Sequence, residues 1–296
     1  MKKIINKILS GLIIGLAVAF TSCSGYLDEV PKGQKIPETL ADFEALLRDE
    51  YTCQRVDVTQ SCLLMNDRYP SSSSLNYYPL WKANYMWDET ADRIKLNNSD
   101  ESAYYVSYAS ISSCNLIIEH APSATNATDS EKNILIAQAR IIRAMNYFNL
   151  VNYYADTYDV NTASTKLAVP VISSADINAP STQVTIKELY DYILKEISES
   201  IPNLPEKSAT ILHPNISVAY AFYARVYLQM SDYTNALKYA NEALKINNKL
   251  YDWVAYYESN KAQILNPTSY TTTSSPYSYT YVENYIYRHE ERDHHQ

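Results

Sequence analysis

The sequence predicts an all-α protein, built of repeat-like helical hairpins joined by long loops. Three observations predict it. The run from Glu131 to Asp156 places Ile134, Ala137, Ile141, Ala144, Met145, Phe148 and Val151 at intervals of three and four, an apolar stripe along one long helix. Glycine is nearly absent: Gly11, Gly15, Gly25 and Gly33 are the four in 296 residues. Tight β-hairpin turns and phosphate-cradling loops use glycine for positive φ, so a β-rich or nucleotide-binding fold is disfavoured. Finally, Val218–Met230 and Asp232–Ile246 are two helical segments separated by a single polar turn.

The first residues read as a signal. Lys2, Lys3 and Lys7 precede an apolar run from Ile8 to Phe20, too short to span a bilayer comfortably, which ends in Thr21, Ser22 and Cys23. The expected organisation is a signal peptide over 1–22, an extended tether over 23–37, a helical domain over 38–253 and an irregular Tyr/Ser/Thr-rich tail over 254–296. Removing the signal takes away three lysines and no acid, which moves the formal charge from −8 to −11. An acidic chain of this kind argues against nucleic acid and against direct adsorption to anionic lipid. Hydrophobic residues make up 46% of the chain, enough for a sizeable core.

Within the helical domain, Thr39 caps a helix to about Asp49, with Leu40, Phe43, Leu46 and Leu47 inward. Trp81–Thr90 is short and densely aromatic. A helix from about Ser102 to His120 and the long helix after it make a hairpin near 102–155. Thr128 with Glu131 and Thr185 with Glu188 stand at capping-box spacing, marking the starts of the long helix and of a further helix running to about Ser200. The stretch between Asp156 and Thr185 is polar and proline-punctuated, and reads as a long excursion across the surface. The second hairpin, near 217–247, resembles a tetratricopeptide repeat. Tyr220, Ala224, Tyr227, Ala236 and Ala243 supply its aromatic and small positions, and Ser231-Asp232-Tyr233 replaces the usual Gly-Asp-Tyr turn.

Catalytic signatures are missing. No GxSxG, HExxH, P-loop or CxxC occurs, and His120, His213, His289, His294 and His295 are scattered. Asp88, Glu89 and Asp92 lie close together, but adjacent acids in a polar segment read as a solvated face rather than a catalytic pair. No enzyme, cofactor or metal site is expected. Beyond Cys23, Cys53, Cys62 and Cys114 leave an odd count; a Cys53–Cys62 disulfide and buried free thiols are both compatible with the spacing.

Several of these segments together resemble the SusD/RagB family, surface lipoproteins that partner TonB-dependent transporters in glycan uptake by Bacteroidetes. Cys23 followed by Tyr26-Leu27-Asp28 resembles the family's mature start. Ala139-Arg140-x-x-Arg143-Ala144-x-x-Tyr147-Phe148-x-Leu150-Val151 resembles its most recognisable helix, and Leu167-Ala168-Val169-Pro170-Val171 the segment after it. Ala224-Arg225-Val226-Tyr227-Leu228 and Asp232-Tyr233 with Ala236, Ala240, Ala243 and Leu244 resemble its repeat-like hairpin.

The resemblance implies a tetratricopeptide-like α-domain anchored to the outer membrane by lipid on Cys23 and facing outward. It also implies non-covalent glycan binding and delivery to a SusC-like TonB-dependent transporter. Sugars stack their flat C–H faces on aromatic rings and bond their hydroxyls to amides and charged groups. In the family an aromatic platform with neighbouring asparagines does this, and part of it comes from the N-terminal region. The segment from Asn76 to Asn98 therefore supplies the candidates Trp81, Trp87, Tyr85, Asn84, Asn97 and Asn98. Either tryptophan could instead cap the helical core. The tyrosine stripes at 104–108, 147–154 and 220–227 read as packing between helices, and Arg140 and Arg143 as partners of buried carboxylates or loop carbonyls. Family members are longer, and their C-terminal half adds to the ligand surface; here it is reduced to 254–296 or missing. The alternatives are a helical-repeat lipoprotein that only holds a protein partner, or a truncated, non-binding member.

Overall fold

The computed structural model of the chain describes residues 37–49, 52–54, 71–77, 79–96, 103–207, 210, 212–250 and 252–265. The signal over 1–22, Cys23, the tether up to Ile36, Cys62, Asn97, Asn98 and the tail beyond Leu265 lie outside these residues. Glu38 opens the compact unit described below.

Among the described residues the architecture is all-α apart from one small ribbon. Helix α1 (Leu40–Leu47) is followed by three short helices, α2 (Ser72–Tyr77), α3 (Pro79–Tyr85) and α4 (Arg93–Leu96). Then come α5 (Ala103–His120), α6 (Asp129–Tyr154), strands β1 (Leu167–Pro170) and β2 (Gln183–Thr185), and α7 (Ile186–Ser200). The hairpin α8 (Ile216–Gln229) and α9 (Tyr233–Ile246) precedes α10 (Trp253–Leu265). Helix α5 packs on α6, α6 on α7, and α8 on α9, while α1 leans on the α5–α6 pair.

The written helix starts are all present. Thr128 and Glu131 form a reciprocal capping box, as do Thr185 and Glu188, and Thr39 closes a third with Asp42. Each satisfies two backbone N–H groups that would otherwise lack partners at a helix start.

Helix α6 is buried more widely than one stripe. Ala137, Ile141, Ala144, Met145 and Phe148 face a large cluster with α7, α8 and β1. Leu135, Ala139 and Ile142 face a second cluster containing Phe43, Leu47, Cys53, Cys114 and Ile117. The helix is thus the shared wall of two cores.

Two segments differ from their sequence reading. The stretch between Asp156 and Thr185 is not a bare surface excursion. Leu167–Pro170 pairs antiparallel with Gln183–Thr185, and Ala168 and Val169 are buried. Four residues of strand are too few to show an alternation that periodicity would catch. The expected irregular tail begins instead with α10. Asp252 starts it, its carboxylate accepting the Ala255 N–H at 2.8 Å. Trp253, Val254 and Tyr257 are all exposed, so no inward stripe announces this helix.

Candidate functional site

A buried polar network ties α5, α6, α7 and the segment after β1 together. Arg143 on α6 gives Nε and Nη2 to Glu196 Oε2 on α7 at 2.9 and 2.6 Å, and Nη1 to Asn115 Oδ1 on α5 at 2.7 Å. Asn115 in turn donates Nδ2 to the carbonyls of Ile172 and Ser174, both at 2.9 Å. Tyr147 Oη accepts the Ile172 N–H at 2.7 Å, and Tyr108 Oη donates to the Pro170 carbonyl at 2.7 Å. Burial pushes both phenols well above their ordinary range, so they stay neutral donors. Arg140 pairs with Glu199 at the surface. Both arginines meet carboxylates of α7; the partner of Arg143 is buried, as the sequence suggested, whereas that of Arg140 is exposed.

The candidate residues sit on and just after α3. Trp81 and Tyr85 are half-buried on that helix. Asn84 is buried, and its Oδ1 accepts Arg93 Nε at 2.9 Å while Arg93 Nη2 approaches the Ala83 carbonyl. Arg93 thus places a cation at the C-terminal end of α3, where unpaired carbonyls gather. Its role was not legible in the sequence, because the two residues lie nine apart across a turn.

Trp87 is placed differently from the others. The Asp88 N–H bonds the Ala83 carbonyl at 2.9 Å and the Trp87 N–H bonds the Asn84 carbonyl at 3.2 Å. This is the Schellman arrangement, and it puts Trp87 at the position that glycine normally fills, with φ of 53°. A bulky side chain there is a strained choice that costs about 1–2 kcal/mol. The residue is 62% exposed, so it does not cap the core. Directly after it, Asp88 Oδ1 accepts the Thr90 N–H at 2.9 Å and its hydroxyl at 2.7 Å, bonds that hold the carboxyl below its usual range. An exposed ring followed by a carboxylate acceptor suits the stacking and hydroxyl bonding of a sugar. Tyr77, 76% exposed on α2, is a further ring on this segment.

The tyrosine stripes divide. Tyr104 of α5 meets Tyr154 of α6 edge-on at 5.2 Å, and Tyr220, Tyr223 and Tyr227 of α8 stack on Tyr239 of α9. Tyr147 is fully buried, and burial lifts Tyr223 to about 12. These pairs pack helices, whereas Tyr105 and Tyr153 keep a third or more of their surface exposed. Among the described residues no group of three His, Cys, Asp or Glu is placed to hold a metal ion, and no helix is long and apolar enough to cross a membrane.

Comparison with known proteins places this frame. A family model described as "Starch-binding associating with outer membrane" (SusD-like) matches residues 25–228. SusD-like protein P2 of Formosa agariphila is 26% identical over 254 residues, covering 80% of this chain and 45% of that protein. A putative sugar binding protein from Bacteroides vulgatus superposes with a TM-score of 0.56 at 24% identity, over 72% of this chain and 47% of that one. A laminarin binding SusD-like protein superposes with a TM-score of 0.53 at 18% identity, over 70% of this chain and 44% of that one. These structures share the fold, and the chain spans about half the length of the relatives it matches. With the model matching more than half of its residues, and with α5, α6, α7 and all but the last residue of α8 lying within that match, the chain belongs to the SusD-like family.

Proposed function

We propose that this chain binds glycan non-covalently through the aromatic segment after α2 and, anchored to the outer membrane by lipid on Cys23, hands it to a SusC-like TonB-dependent transporter. No reaction is involved. The observation that carries the reading is Trp87, a tryptophan held out of the core by a backbone conformation that disfavours it. Strain retained at one exposed aromatic residue points to use. Trp81 and Tyr85 are the half-buried aromatic candidates on α3, Asn84 and Arg93 brace its end, and Asn97 and Asn98 are the further candidate amides. Relatives whose names record laminarin or surface-glycan binding support the substrate class.

Affinity electrophoresis of the chain from Ser24, through gels containing different polysaccharides, tests this. Retardation by one glycan that Trp87→Ala abolishes, with helical content intact, is the expected result; Trp81→Ala runs alongside. A folded chain that migrates freely on every glycan would overturn the reading. That outcome favours the second reading, a protein-interaction module, for which the outward face of α9 speaks: Tyr233, Leu237 and Leu244 are each more than half exposed there.

A further inference from the structure

Cys53 and Cys114 lie 61 residues apart in sequence, and their sulfurs face each other at 3.7 Å with no exposed surface on either residue. The meeting is constructed from the α5 side. Ser110, one turn before Cys114 and on the same face of α5, donates its hydroxyl to the Cys53 carbonyl. Asn146 of α6 holds that same hydroxyl at 2.8 Å. On the other flank, Gln54 donates Nε2 to the carbonyls of Leu47 and Leu212 at 2.8 and 2.9 Å. The backbone around Cys53 is therefore fastened to α1, α5 and the approach to α8, and its sulfur has Cys114 as a neighbour. A disulfide needs the sulfurs at about 2.05 Å, a closure of less than 2 Å that small side-chain rotations can supply.

We propose that Cys53 and Cys114 form a disulfide when the chain folds in an oxidising compartment, in place of the Cys53–Cys62 pairing that sequence proximity suggests. The two thiols lose two protons and two electrons. A donor disulfide, of the glutathione or dithiol-oxidoreductase class, accepts both and leaves as two thiols, passing through a mixed disulfide with one of the cysteines. The bond forms while the segment is still open. In the closed core, hydrogen bonding to Cys114 and burial hold the Cys53 thiol well above its ordinary range, so little attacking thiolate remains. The loop it closes contains α2, α3 and α4 with Trp81, Tyr85 and Trp87, so the whole candidate binding segment hangs from one covalent staple at its base. The export reading enters only as the place where the oxidant is met; the pairing itself is read in vitro.

The full chain is refolded from denaturant in an oxidised and reduced glutathione mixture, quenched in acid, alkylated, digested without reduction and mapped by mass spectrometry. The expected product is a peptide pair joining Cys53 to Cys114, lighter by two hydrogens than its parts, with Cys62 alkylated. Cys62→Ser keeps this pair and Cys114→Ser loses it. Reducing the wild type lowers its unfolding midpoint by roughly 10 °C, from the loop-entropy effect of closing a long loop. Alkylation of both Cys53 and Cys114, or linkage of either to Cys62 or Cys23, overturns the proposal.

Discussion

Arg143 on α6 and Glu196 on α7 make a forked ion pair with only 5% and 6% of their side chains exposed. Asn115 joins the pair and passes its hold on to Ile172 and Ser174, so one arginine ties α5, α6, α7 and the segment after β1 together. Replacing Arg143 by Met leaves a buried carboxylate without its partner, which costs roughly 3–5 kcal/mol. Adding Glu196→Leu removes the stranded charge and recovers most of that loss. Urea unfolding of the two variants checks the order; a double variant no more stable than the single one would contradict it.

Ser231 ends α8 as Trp87 ends α3. Its φ is 61°, and the Asp232 N–H reaches the Tyr227 carbonyl at 2.9 Å. Ser231→Gly removes the left-handed penalty but adds freedom to the unfolded chain, for a net gain of about 0.5 kcal/mol. Ser231→Val adds β-branching and loses roughly 1–2 kcal/mol. Thermal unfolding of the pair reads the sign of each change.

The same logic separates stability from binding at Trp87. Trp87→Gly relieves the backbone and removes the ring, so the unfolding midpoint holds or rises while retention on a glycan gel disappears. A fall of several degrees would mean that the ring packs a core, against its exposure here.

His213 carries a pH signature. Burial, aided by the charge of Arg48, lowers its pKa below about 6.5, and Thr210 bonds its ring at 2.9 Å. The unfolded chain therefore binds this proton more readily than the folded one. The stabilisation is complete above about pH 6.5 and is lost as pH falls through that value toward the folded pKa. Urea midpoints at pH 7.5 and 5.5 should differ in the wild type and converge in His213→Gln.

Local grammar made much of the frame readable. Thr128 with Glu131 and Thr185 with Glu188 announce helices because a cap and its return partner lie within one turn. The spacing from Ile134 to Val151 announces α6, though not the second buried side formed by Leu135, Ala139 and Ile142. That side exists because α1 and α5 arrive from elsewhere in the chain. Long-range partners stayed hidden for the same reason: nothing local to Arg143 says that Glu196 will meet it, and nothing local to Cys53 says that Cys114 will face it. At the site, aromatic density in the Trp81–Thr90 segment was visible, whereas the left-handed turn at Trp87 and the Arg93 brace are products of three-dimensional closure. The ribbon of Leu167–Pro170 and α10 were missed because one is too short and the other too uniformly coated to show a period.

Sharing α6 between two cores has a consequence for how the protein comes apart. A helix that supplies one wall to each cluster cannot be withdrawn from either without opening both, so neither half has a stability of its own. Unfolding of the described unit is then a single cooperative event, with a calorimetric enthalpy equal to the van't Hoff enthalpy. A fragment cut before Leu135 would take the shared wall from both clusters rather than leave one standing.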